Sequence, residues 1–234
     1  MPVNFIASAS VLNSASGTST AVPMPSGLAA GRLLLVMVAS VGNSPMPTTP
    51  AGWNLVASFT PGTTLSSYLY RRVATGSETT TTWTWSSAGR NLGLSMLYSG
   101  VDTSLATNAS AVWAHDDGGG PVAAPALAAN TGDWLATVGL GRENPGTSTA
   151  KNWSSSAASD VERLDVSTGG AASDIKVTGA WFDSGAPIAA GSTARTLSSV
   201  PELQQRHVWS ILLPVPAGEQ AGGNPWSHLG RPLR

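Results

Sequence analysis

The stretch Gly31-Arg32-Leu33-Leu34-Leu35-Val36-Met37-Val38-Ala39-Ser40-Val41-Gly42 decides the fold class. Residues 33–39 are uninterrupted apolar side chains, far short of the roughly 20 needed to cross a bilayer. A short apolar run between glycines, rich in Val and Leu, reads as a strand buried on both faces. Runs of the same kind recur outward from it. Ser67-Tyr68-Leu69-Tyr70-Arg71-Arg72-Val73 alternates weakly, and 79–85 is β-branched and aromatic. Further strands are expected at 92–98, 134–140, 174–182, 194–198 and 208–215, with loops marked by Pro45-Met46-Pro47, Pro121, Pro125, Pro145 and Pro187. Helical periodicity is nearly absent, so the chain is expected to be all-β.

Composition agrees. Hydrophobic residues make up 41% of the 234, enough to fill a core, whereas charged residues make up only 11%. The usual charged share is about 25%, so Ser, Thr, Gly, Asn and Ala must cover most of the surface. The net charge is −1 and no basic run exists to follow phosphates, which argues against nucleic acid as a partner. There is no cysteine, which excludes disulfides, thiolate metal sites and cysteine nucleophiles together. Met1-Pro2-Val3-Asn4-Phe5 lacks a basic region followed by an apolar stretch, so no signal peptide and no membrane association are expected.

The chain also repeats itself. Gly31-Arg32-Leu33-Leu34-Leu35-Val36 is followed 22 residues after Gly31 by Trp53, and Gly132-Asp133-Trp134-Leu135-Ala136-Thr137 is followed 21 residues after Gly132 by Trp153. Gly76 lies 24 residues before Gly100, and Gly191 lies 23 before Pro214, each pair enclosing a Thr-containing strand and an apolar one. Two halves of about four strands, 1–115 and 121–216, would form a jelly-roll-like β-sandwich. One domain over 1–216 is expected, because either half alone would expose half a core. Residues 217–234 differ. Ala217-Gly218-Glu219-Gln220-Ala221-Gly222-Gly223-Asn224 has linker composition. The segment beyond it carries Trp226, His228, Leu229, Arg231, Leu233 and Arg234. These six read as the contact residues of an extended C-terminal arm docked on a partner or on the parent domain.

Residues with chemical potential are few. No Gly-x-Ser-x-Gly elbow, Gly-x-x-x-x-Gly-Lys loop or His-Glu-x-x-His pair is present. His115-Asp116-Asp117-Gly118-Gly119-Gly120 has carboxylates beside an imidazole, but lacks the alternating oxygen ligands of a calcium loop and reads as an acidic turn between the halves. Asp160-Val161-Glu162-Arg163-Leu164-Asp165 places carboxylates on an alternating stretch, as a glycosidase pair would, yet Arg163 sits among them and a solvent-facing strand explains the pattern as well. No catalytic residue, metal site or cofactor is expected. Nine tryptophans against three each of Phe and Tyr is unusual. Trp83 and Trp85, two apart on one strand, share a face. They are either core or interface residues, or an exposed platform for stacking a host-surface glycan.

The order of these signatures resembles β-sandwich virion proteins of tailed phages that infect actinobacteria, usually described as minor tail proteins. The matching positions are residues 33–38, Gly52-Trp53, Tyr70-Arg71-Arg72-Val73-Ala74, Gly76-Ser77-Glu78 and Tyr98-Ser99-Gly100-Val101-Asp102. Gly132-Asp133-Trp134-Leu135 keeps an acidic residue that the first half replaces with Arg32. The resemblance spans roughly residues 20–215. It implies a structural protein made in the host cytoplasm and located in the virion, in the tail or tail tip, without an active site. Its partners would be other virion proteins and copies of itself. A capsid decoration protein stabilising the head and a carbohydrate- or receptor-binding module are the alternatives.

Overall fold

The computed structural model describes residues 1–13, 15–42, 45–61, 65–115, 121–143, 152–167, 176–192, 194–200, 203 and 205–216. Among them there is no helix, and sixteen strands account for the regular structure. In the first half these are β1 (Asn4–Leu12), β2 (Gly17–Val22), β3 (Leu33–Val41), β4 (Asn54–Phe59), β5 (Leu65–Val73) and β6 (Thr81–Ser99). The second half supplies β7 (Asn108–His115), β8 (Val122–Ala124), β9 (Ala128–Ala129), β10 (Trp134–Glu143) and β11 (Asn152–Ser155). It ends with β12 (Val161–Val166), β13 (Lys176–Asp183), β14 (Gly191–Ser192), β15 (Arg195–Val200) and β16 (Gln205–Leu213).

Two antiparallel sheets form the body, ordered β1-β6-β3-β5-β4 and β7-β16-β10-β13-β12. The order is the same in both when each strand is matched to its counterpart. β3 is the central strand, and its alternation explains its apolar run. Leu33, Leu35, Met37, Ala39 and Val41 face the second sheet, where they meet Trp134, Ala136, Val138, Leu140, Trp181, Trp209 and Ile211 in an inner core. Leu34, Val36 and Val38 face the opposite way into an outer core with Trp53, Tyr68, Tyr70, Trp83, Trp85 and Val22. Period-2 alternation with both faces covered explains the apolar run from 33 to 39, and Ser40 near the strand's end is the one polar residue in β3. The second sheet has its own outer core of Trp153, Phe182, Leu197, Leu203 and Val208, beneath the small sheet β11-β15-β8. Each half is therefore a small sandwich of a large sheet and a covering layer. The shared inner core joins them through their large sheets.

The correspondence between halves extends to irregularities. Gly31 and Gly132 both adopt positive φ, 84° and 100°, a region that favours glycine. Both donate across the sheet end, Gly31 N–H to Ala74 O at 2.9 Å and Gly132 N–H to Ile188 O at 3.0 Å. The edge strands β4 and β12 carry a β-bulge at matching positions, between Leu55 and Ala57 and between Glu162 and Leu164. Contacts between the halves come in mates. β1 lies by β12 as β7 lies by β4, β6 by β13 as β16 by β5, and β3 by β13 as β10 by β5. Such reciprocity is the signature of an isologous interface. A pseudo-two-fold axis running along the strands, between β3 and β10, relates the halves.

Three expectations are adjusted. A jelly roll interleaves strands from both ends of the chain in each sheet; here each large sheet is drawn from one half. The boundary between halves lies before Asn108, because β7 pairs with β16 and not with the first sheet. The two expected strands at 79–85 and 92–98 are one strand, β6. Its first part pairs with β2 in the covering layer, and its last part pairs with β3 in the large sheet. The second half divides that path between β15 and β16.

Candidate functional site

Trp83 and Trp85 share one face of β6, and that face is inward. Trp83 is 0% and Trp85 3% exposed. Trp83 meets Trp53 edge-on at 5.3 Å between ring centroids and Tyr70 at 5.6 Å. The reason is the path of β6, whose first part covers the outer face of β3 and must fill the space above Leu34, Val36 and Val38. Neither ring offers a stacking face to a sugar, which corrects the glycan-platform reading. Trp53, Trp134, Trp153, Trp181 and Trp209 are buried as well. These tryptophans fill the chain's own cores, so they are not available to pack against neighbours. Trp226, His228, Leu229, Arg231, Leu233 and Arg234 lie outside the described residues, as do Asp116, Asp117 and Gly118 to Gly120.

Two of the three carboxylates on 160–165, Asp160 and Asp165, hold the fold together, and Glu162 is exposed. Asp160 accepts from Arg195 Nε at 2.9 Å and from Ser155 Oγ at 2.6 Å. Asp165 accepts from the Trp153 backbone N–H at 2.9 Å; burial pushes its carboxyl up, against the lowering effect of that bond. Arg163 sits in the β12 bulge and reaches across the halves. Its Nε and Nη2 donate to Asp183 Oδ2 and Oδ1 at 2.8 and 2.9 Å, and its guanidinium lies 4.4 Å from the Phe5 ring centroid. Asp183 also accepts from Tyr98 Oη at 3.2 Å, and Tyr98 Oη accepts from Trp181 Nε1 at 3.0 Å. Burial, and then the Asp183 charge, push the Tyr98 phenol well above its ordinary range, so it stays a neutral donor. No group of three or more metal-ligating side chains occurs among the described residues.

A Ser–His pair that sequence reading missed joins the halves on the other side of the inner core. Ser67 Oγ lies 2.8 Å from His207 Nδ1 and accepts from Trp209 Nε1 at 3.0 Å. Phe59 packs edge-on against both rings of β16, at 5.0 Å from His207 and 6.2 Å from Trp209. A nucleophile–base pair needs substrate access and a third group to orient the base. Ser67 and His207 are both fully buried, and His207 Nε2 has no partner. Burial lowers the imidazole to about 3, leaving it neutral. The arrangement serves as a polar strut between sheets. The two members are 140 residues apart, a separation no local motif could reveal.

The signature residues of the first half have structural duties too. Glu78 accepts from Thr75 N–H at 2.6 Å and Gly76 N–H at 3.0 Å and pairs with Arg72 at 3.3 Å, closing the turn before β6. Arg71 donates to Thr103 O and Leu105 O, each at 2.7 Å, and so ties down the connection between the halves. Asp102 N–H donates to Pro214 O at 2.8 Å.

An open cavity lies where the inner core ends beyond β3 and β10. It measures about 160 Å³ and is lined by Ser16, Val41, Gly42, Ala88, Gly89, Arg90 and Arg142. Arg90 of the first half and Arg142 of the second both line it.

Comparison with known proteins finds no matching family model, no matching curated protein and no matching solved structure.

Proposed function

We propose that the chain is a structural protein of a tailed-phage virion, a tail or tail-tip component that works by packing against copies of itself and other virion proteins. The observation that carries the packing part is where the polar groups go. The charged and hydroxyl side chains that chemistry would use, at Asp160, Arg163, Asp165, Asp183, Ser67 and His207, are spent on internal struts. What faces outward is a sparsely charged β surface with four sheet-edge strands, β1, β4, β7 and β12. Edge strands present unpaired backbone groups that suit pairing with neighbours. The exposed Leu55 on β4 and Val161 on β12 add apolar contacts at these edges. The virion assignment draws on the resemblance of the Gly-Trp, Tyr-Arg and Gly-Ser-Glu signatures to phage tail proteins.

The test is to purify particles and locate the chain by epitope labelling and electron microscopy. Label at the tail or tail tip is the expected result. Label over the capsid surface would replace the tail reading with a decoration protein, and absence from intact particles would overturn the virion reading.

A further inference from the structure

We infer that the cavity at the end of the inner core is a binding site for a carboxylate group, held between Arg90 of the first half and Arg142 of the second. The placement follows from register. Leu92, Leu94 and Met96 of β6 point into the inner core, so Arg90, two residues earlier, points the same way beyond its end. Val138 and Leu140 do the same on β10, and Arg142 continues their row. Arg90 pairs with Val41 across β3 and β6, and Val41 and Arg142 occupy equivalent places in the two halves. The pseudo-two-fold axis therefore leaves the molecule through this cavity.

The chemistry calls for an anion. A guanidinium stays protonated in any protein and carries five donors with no acceptor. Arg142 Nε has no hydrogen-bond partner but is sealed from solvent, so a ligand in the cavity is left to the Nη groups of that guanidinium. Arg90 is engaged within the chain but lines the same space. Six of the seven carboxylates whose side chains are described are committed elsewhere: Glu78, Asp102, Asp133, Asp160, Asp165 and Asp183. The seventh, Glu162, is exposed on the β12 edge opposite Phe182, away from the cavity. An arginine fork matches a planar carboxylate in bidentate fashion.

Size and lining narrow the class. A volume of about 160 Å³ is well above what one water requires and accommodates a carboxylate on a short aliphatic stem. Val41, Ala88 and the two glycines supply the apolar surface for that stem, and Ser16 offers a hydroxyl at the cavity. The carboxylate could belong to a small free acid or to an acidic side chain of a neighbouring protein. The inference holds whether or not the virion reading does.

The full chain, labelled with ¹⁵N, is titrated at constant ionic strength with sodium butyrate and separately with the peptide acetyl-Gly-Glu-Gly-amide, while the arginine Nε–H signals are followed. Butyramide and the matching Gln peptide serve as neutral controls. The expected result is a saturable shift of the signal that Arg142→Gln removes. Affinity should be in the millimolar range and fall roughly tenfold or more in Arg142→Gln and in Arg90→Gln, because charge-assisted bidentate bonds are lost. Arg142→Lys keeps the charge and loses the fork, so it should fall between. Saturation by the peptide alone assigns the site to a protein neighbour, and saturation by butyrate assigns it to a free acid. Absence of saturation by either at about 50 mM, equal binding of the neutral controls, or unchanged affinity in Arg142→Gln would overturn the inference.

Discussion

Replacing Arg163 with Met tests how far the second half depends on a buried ion pair between β12 and β13, whose members also touch Tyr98 and Phe5 of the first half. Asp183 has no exposed side-chain surface and takes two bonds from Arg163, at 2.8 and 2.9 Å. Removing one partner of a buried pair costs about 3–5 kcal/mol, because the remaining charge is left uncompensated. Asp183 would keep the Tyr98 hydroxyl and the Gly185 backbone N–H, which places the expected loss near the lower end. Loss of the guanidinium from the Phe5 ring adds about 0.5–1 kcal/mol, so the total is about 3–4 kcal/mol. Asp183→Asn should be milder, since Arg163 keeps 19% of its side-chain surface in water and can turn outward. The double variant Arg163→Met/Asp183→Asn should recover much of the loss, because a neutral amide replaces the stranded charge. The assay is urea unfolding, with the midpoint shift read at unchanged slope. An Arg163→Met variant within about 1 kcal/mol of the parent, or a double variant as unstable as the single, would show that Asp183 is not a buried charge dependent on this partner.

Ser67→Ala strands the Trp209 indole N–H and His207 Nδ1 together, and should cost about 2 kcal/mol or more by thermal or urea unfolding. Its pseudo-symmetric counterpart is Gly179, whose added Cβ would lie 2.6 Å from Leu92 and 2.9 Å from Leu140. Gly179→Ala should lose about 1–3 kcal/mol by overpacking, and Leu92→Ala in the same chain should offset part of that, which a double-mutant cycle measures. For His207 the folded-state pKa of about 3 lies below the ordinary imidazole value of 6.5. As pH falls below that value, the unfolded chain takes up a proton that the folded one refuses. Stability should then drop by about 1.4 kcal/mol per pH unit down to about pH 3. His207→Phe should flatten that slope between pH 6 and pH 4, and an unchanged slope would refute the assignment. Trp83→Ala should lower stability by about 3–5 kcal/mol, and a glycan array should show no binding by the parent chain that Trp83 or Trp85 controls.

The all-β class and the β3 strand were legible because each rests on local pattern. Seven apolar residues between glycines leave β3 no other stable role. The paired glycines at 31 and 132 mark turns with a single backbone solution. Other strands were not legible. β1, with the sequence Asn-Phe-Ile-Ala-Ser-Ala-Ser-Val-Leu, alternates residues too small to signal burial, and β8 and β11 are only three and four residues long. The continuity of β6 was hidden by Ser86-Ser87-Ala88-Gly89, which reads as a turn but lies where the strand passes from one layer to the next. Pairs such as Ser67 with His207, and Tyr98 with Asp183, exist only once both halves are folded. The tryptophans misled for a related reason: two rings on one face say that the face is apolar, and the partner layer decides whether it is wet.

The halves repeat one strand order but differ in chemistry along their common face. Val56 in the β4 bulge corresponds to Arg163 in the β12 bulge. Leu92 corresponds to His207, Gly179 to Ser67, and Val41 to Arg142. At three of these four positions the second half carries the polar or charged member. A two-fold relation brings an on-axis residue against its own equivalent, so Val41 faces Arg142 in the chain as folded. Two second halves brought together the same way would set Arg142 against Arg142 and leave each Arg163 without Phe5 beside it. First-with-second pairing instead sets Ser67 against His207 and Phe5 against Arg163, contacts that two identical halves lack. The differences between the halves therefore favour the pairing found within one chain, in which each half supplies what the other lacks.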